Sequence, residues 1–302
     1  MRNFYFIPVL FFVFSCGNST EEIGGEIKEF ITDSAPEIDS TGVSPIIADS
    51  VMTEMQLYFS SDMIATIESY LINYENAQTD TALQQNYLDG LKICESLSEE
   101  FDTPKTERVE QLVADGTIYA LYEALQYFNG KLGPLYFTCV AECTELDFCY
   151  DLKIFKEKAT LTNGKSDDDF VELLHFVQGD FGYAGYFNFK VWDKQYWDYG
   201  GSNTLGDGKV LKVIKRIQKF ETTHQIFSEQ VTLIRADVVD MLTSSHAYEY
   251  SVEEVLAEYN KIFKLNYFSG EELEAIQTKY NEIKTAPETF QFDCEAGNCS
   301  FG

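Results

Sequence analysis

Glu172-Leu173-Leu174-His175 and Glu221-Thr222-Thr223-His224 are the stretches of this chain whose residue types and spacing could do chemistry. Both read E-x-x-H, and together they use two of only three histidines. On a helix the i, i+3 spacing puts a carboxylate and an imidazole on one face, a donor set suited to a transition metal. His224 falls in an otherwise apolar row that includes Val213, Ile217, Phe220, Phe227, Val231, Ile234, Val238 and Met241. An imidazole buried there needs a hydrogen-bonding partner or a metal, and Glu221 is the nearest carboxylate in the sequence. Asp168, Glu172 and His175 share the polar face of a shorter helix.

The paired motif resembles the ferritin-like di-iron and di-manganese bundles, which combine two such pairs with one Glu from each of two further helices. The resemblance implies a dinuclear site at Glu172, His175, Glu221 and His224. The chain departs from that pattern because no glutamate lies between Glu172 and Glu221, where the family places a bridging helix residue. The plainer account is a core His224 satisfied by one carboxylate and a solvated His175. Nucleophile and phosphate motifs are absent. No G-x-S-x-G occurs, Gly208-Lys209 lacks the Ser or Thr of a phosphate loop, and Gly179, Gly182 and Gly185 do not form G-x-G-x-x-G. Apart from the di-iron or di-manganese alternative, no cofactor and no catalytic residue are expected.

The interval between the two pairs offers binding instead. Residues 176–199 hold ten aromatics and three glycines. Tyr183, Tyr186, Trp192, Tyr196, Trp197 and Tyr199 could stack on sugar rings or on a partner's surface, with Asp193, Asp198 and Asn203 orienting the ligand. The competing expectation is that these rings cover the core. Phe187, Phe189 and Val191 alternate with Asn188 and Lys190, the period of a short strand or hairpin.

The elements that must position these groups are helical. Apolar residues recur at helical spacing over 53–76, with a restart at Ser61-Asp62, then over 81–101 and 106–128. A cysteine-bearing segment from Pro134 to about Ala159 is read among the helices, with Cys139 and Cys143 on one face. Residues 209–243 read as one continuous helix, the spine of the fold. Ser251-x-x-Glu254 and Ser269-x-x-Glu272 each announce a further helix by a capping box. The expected fold is mainly all-α: a multi-helix bundle or helix-pair array of seven or eight helices, with a small aromatic, glycine-rich hairpin or loop insert near 179–208.

The N-terminus places the protein. Arg2 precedes an apolar run over 4–14, shorter than the roughly 18 residues a membrane span needs. Val13-Phe14-Ser15-Cys16 resembles the lipobox of bacterial lipoproteins, although Phe14 departs from its usual small or aliphatic residue. That resemblance implies cleavage before Cys16 and acylation of its thiol, with 1–15 as signal peptide. Glu21-Glu22 resembles an export tag of some Gram-negative surface lipoproteins. An acidic flexible tether over 16–50 and a helical domain with a disulfide-bearing tail over 51–302 follow. Ser34, Ser40 and Ser50, each after an aspartate, resemble acceptors of a bacterial O-glycosylation system. Six cysteines remain in the exported chain: Cys94, Cys139, Cys143, Cys149, Cys294 and Cys299. An even number in an oxidising compartment argues for disulfides. Cys294 and Cys299 could close a local loop, and Cys94 would take Cys139 or Cys143. With 50 acidic against 22 basic residues, a net charge of −28 excludes a nucleic-acid partner. The sum is an exported, lipid-anchored helical binding or interaction module for a protein or glycan at the outer membrane or cell surface. A carboxylate–histidine metalloprotein is the alternative.

Overall fold

The computed structural model describes residues 47–102, 106–114, 118–140, 145–178, 190–195 and 201–294. Cys16, Ser34, Ser40, Cys143, Cys299, Tyr183, Tyr186, Tyr196, Trp197, Asp198 and Tyr199 lie outside them. The fold is mainly α. In chain order its helices and strands are α1 (Asp49–Tyr58), α2 (Ser61–Asn76), α3 (Asp80–Asp102), α4 (Glu107–Ala114), α5 (Ile118–Leu125), β1 (Leu135–Val140) and β2 (Glu145–Tyr150). They continue with α6 (Leu152–Ala159), α7 (Ser166–Gln178), β3 (Asp193–Gln195), β4 (Gly201–Asn203), α8 (Lys209–Thr223), α9 (Ser228–Ser244), α10 (Val252–Phe263) and α11 (Gly270–Thr285). No helix among the described residues is long and apolar enough to cross a membrane.

Periodicity locates the first helices well because their apolar faces pack on one core. In α2, Met63, Ile64, Ile67, Tyr70, Leu71 and Tyr74 are buried, and the Ser60 hydroxyl accepts the Met63 N–H at the first turn. The folded part begins earlier than residue 51: Ile47 is buried in the core, and Ser50 lies exposed in the first turn of α1.

The cysteine-bearing segment is helical only at its end, in α6; the part that carries Cys139 and Cys149 is a pair of strands. β1 and β2 pair antiparallel from Leu135↔Tyr150 to Val140↔Glu145. Leu135, Phe137, Phe148 and Tyr150 are buried, a period of two carried by aromatic and aliphatic residues that favour a pleated surface. Cys139 stands opposite Leu146 and Cys149 opposite Tyr136, three register steps apart. That is about 10 Å along the strands, beyond the reach of a bond between them. The hairpin packs on α3 where Gly90 makes room; a β-carbon there would come within 2.3 Å of the Tyr150 ring. Tyr70 donates its hydroxyl hydrogen to the Tyr150 oxygen at 3.0 Å, and Tyr150 donates to Asn86 at 3.4 Å. Burial pushes both phenols well above their ordinary range.

The expected single helix over 209–243 is two helices. His224 is extended, with φ −126° and ψ 147°, and Phe227 is left-handed at φ 67°. Thr222 and Thr223 donate their hydroxyls back to the Gln218 and Lys219 carbonyls in the last turn before the break. Phe220 and Phe227 are buried on both sides of the break, so the apolar row runs on through it. The box at Ser251 and Glu254 forms with both bonds, whereas Ser269 makes no side-chain cap.

Two helix starts are held by carboxylates from elsewhere in the chain. Asp80 accepts the Lys165 and Ser166 amides at 3.1 and 2.8 Å, fixing the start of α7. Glu258, 1% exposed, accepts the Gly206, Gly208 and Leu211 amides at 2.6, 2.9 and 2.9 Å, fixing the start of α8. Gly206 and Gly208 have φ of 126° and 83°, which side-chain-bearing residues rarely adopt. The glycine loop therefore does cradle an anion at a helix N-terminus, and that anion is the protein's own Glu258.

Candidate functional site

The structure does not gather the four E-x-x-H residues at one point, although Glu172 and His224 line one small cleft. Glu172 and His175 are exposed on α7. Glu221 accepts the Tyr267 hydroxyl at 2.7 Å and lies 3.8 Å from Arg235. His224 bonds instead to Asp169 and Ser166. Its Nε2 lies 2.7 Å from Asp169 Oδ2, and its Nδ1 lies 3.1 Å from Ser166 Oγ. A proton on Nε2 satisfies both ends: the imidazole donates to the carboxylate and accepts the serine hydroxyl. Among the described residues no group of three or more His, Cys, Asp or Glu could hold a metal ion. The four-residue dinuclear arrangement is therefore not assembled, because the helix break turns His224 toward the start of α7 and away from Glu221.

Ser166, His224 and Asp169 have the connectivity of an acyl-transfer triad, and they lack what such a triad needs. The nitrogens are reversed relative to the usual arrangement, in which Nε2 faces the serine. Ser166 is 8% exposed, and the small cleft of about 40 Å³ beside His224 is lined by Asp169, Glu172, Arg216 and Lys219 but not by Ser166. The Ser166 and Lys165 amides, which could have faced an oxyanion, already donate to Asp80. The cluster closes on itself and joins the end of α8 to the start of α7.

An open cavity lies elsewhere, between the β3 region and the last turns of α9. It measures about 430 Å³, within the range of small-ligand sites. Its lining takes Lys190, Trp192 and Asp193 from the β3 region and Asp237, Asp240, Met241 and Ser244 from α9. Ser245, His246, Ala247 and Asn203 complete it. Backbone bonds hold these walls. β3 pairs with β4, and the Val191 amide donates to Val177 at 2.6 Å. The Asn203 amide donates to Ala247 at 2.8 Å, and the Gln291 amide donates to His246 at 2.9 Å. Cys294 donates its amide to the Tyr248 carbonyl. The C-terminal segment thus braces the strip that lines the cavity.

Inside the cavity the polar groups are less fully engaged. Lys190 pairs with Asp237 at 3.2 Å, while Asp240 has no ion-pair partner among the described residues. Among the described residues Asp193 accepts the Lys190 amide alone, at 3.2 Å, and its burial raises its carboxyl above the ordinary range. Trp192 is 3% exposed, so it is not the open stacking plate expected of it. Its carbonyl takes the Thr204 amide, and its ring is packed into the wall. Asp193 and Asn203, expected to orient a ligand, both line the cavity. Asp237, Asp240, Ser244, Ser245 and His246 carry no motif and were not singled out in the sequence. The available signal was a serine-rich helix end, Ser244-Ser245-His246, below a polar i, i+3 pair. No family model, no curated protein and no solved structure matches this chain.

Proposed function

We propose that this protein is an exported binding module, lipid-anchored through Cys16, which receives the polar end of a ligand or partner in the cavity between β3 and the end of α9. The observation that supports this reading is the cavity itself: about 430 Å³ of open space walled by braced backbone and lined by incompletely engaged polar groups. The aromatic residues on either side of Trp192 and the disulfide framework belong to the same proposal, as does a location at the outer membrane or cell surface. No group-transfer step is assigned, since the hydrogen-bonded Ser166–His224–Asp169 arrangement is closed by its own partners.

Thermal unfolding of the full chain against oligosaccharides, amines and short peptides tests it. A ligand that fills the cavity at a hundred times its Kd adds about 2.7 kcal/mol to stability. Trp192→Phe removes the indole N–H and leaves a smaller aromatic ring in its place, and it should weaken that gain. Stabilisation by no probe, or the same stabilisation in Trp192→Phe, would count against the site.

A further inference from the structure

Resting on that binding role, we infer that the cavity between β3 and the end of α9 takes an organic cation, an alkylammonium or guanidinium group. Charge provides the first reason. Asp193, Asp237 and Asp240 face the space against the single ammonium of Lys190. Lys190 engages Asp237, which leaves Asp193 and Asp240 for an incoming cation. The site already contains one example of the recognition proposed, an alkylammonium on Asp237.

The helix supplies the second reason. Asp240, Met241 and Ser244 belong to the last turns of α9, whose C-terminal carbonyls carry partial negative charge. No basic residue stands in the last turn of α9 to offset it. A cation at this end gains from both the carboxylates and the helix, whereas an anion is repelled by both.

The third reason is Trp192. Its side chain is more than nine-tenths buried and lines the cavity, and its indole N–H has no hydrogen-bond partner among the described residues. The ring itself is packed into the wall, so what it offers a ligand is the indole N–H, a donor that needs an acceptor. A ligand with an ammonium or guanidinium flanked by an acceptor, such as a free amine with a carbonyl or a lysine or arginine side chain on a peptide, meets the aspartates and the N–H together. A metal ion is a poorer occupant, since the described residues assemble no ligand set for one.

Calorimetry on the full chain in detergent decides the matter, using spermidine, a trilysine peptide and the uncharged sugar diacetylchitobiose as probes. Asp193→Asn and Asp240→Asn are compared with Glu274→Gln, an exposed charge on α11 outside the cavity. At least one cationic probe should bind, and it should weaken by about tenfold or more in each aspartate variant but not in Glu274→Gln. Binding of spermidine alone identifies a small amine, and binding of trilysine alone a partner's side chain; both support the inference. Equal weakening in all three variants would show diffuse attraction to an acidic protein and overturn it. Binding of the sugar alone would overturn the cation while leaving the cavity a binding site. Binding of no probe removes both. Melting of each variant near the wild-type temperature shows that the fold survives.

Discussion

The His224 cluster and the α9 cavity contain the same kinds of residue, aspartate, serine and histidine, with opposite states of satisfaction. At His224 both ring nitrogens are engaged, Asp169 on one and Ser166 on the other, and Asp80 Oδ2 takes the amides beneath, although Asp80 Oδ1 is buried without a partner. In the cavity, Asp193, Asp240 and the Trp192 N–H face open space. Buried polar groups that are fully paired specify a structure, whereas unsatisfied ones held on a rigid wall are available to something else. The motif that reads most like chemistry thus serves the fold, and the region without a motif carries the room for a ligand.

The largest effect that would sharpen this contrast is loss of the imidazole. His224→Leu removes two hydrogen bonds and strands Ser166 and Asp169, at a cost of about 1–3 kcal/mol. The drop in melting temperature should be the same with and without chelator. A wild-type melting point that falls on chelation, unmatched in the variant, would return the Glu172/His175 and Glu221/His224 pairs to consideration as ligands.

Gly90→Ala should act on a similar scale, about 1–3 kcal/mol, by pressing a methyl group against the Tyr150 ring. It loosens the hairpin rather than the cavity, so ligand affinity at a temperature where the variant is folded should not change. A selective loss of binding with little loss of stability would break the separation of framework from site.

Asp193→Asn should be nearly silent in stability, within about 0.5 kcal/mol, and its sign depends on pH. Burial raises the Asp193 carboxyl in the folded protein, so in the pH window between the unfolded and the higher folded value the native state binds more proton than the unfolded chain. Its contribution is present below the unfolded value of 3.8 and is lost as pH rises through the higher folded value. Melting temperatures of the variant and wild type should therefore converge in acid, and the variant should gain on the wild type as pH rises through that window. A gain that runs the other way would mean that Asp193 is held as a stabilised anion, like the carboxylates at the closed cluster.

The smallest expected effect is that of Cys16→Ala. Membrane association should vanish while the stability stays within about 0.5 kcal/mol of wild type, because the described core begins at Ile47. A variant that still sediments with the membrane would remove the lipid anchor from the proposed function.

By itself the sequence determined the mainly helical class, the run of helices from α1 to α3, the capping box at Ser251 and the strong negative charge. These follow from local spacing and composition, since an amphipathic helix must bury its apolar stripe wherever it packs. The tertiary structure alone decided that residues 135–150 form a hairpin, because Tyr150 needs the notch at Gly90 and the hydroxyl of Tyr70, both distant in sequence. It alone broke the row at His224, where Asp169 and Ser166 reward a turn that no apolar period records. The cavity is of the same kind. Lys190, Asp193 and Asp240 become one site only when β3 and the end of α9 lie side by side, and hydrogen bonding and charge act through space rather than along the chain.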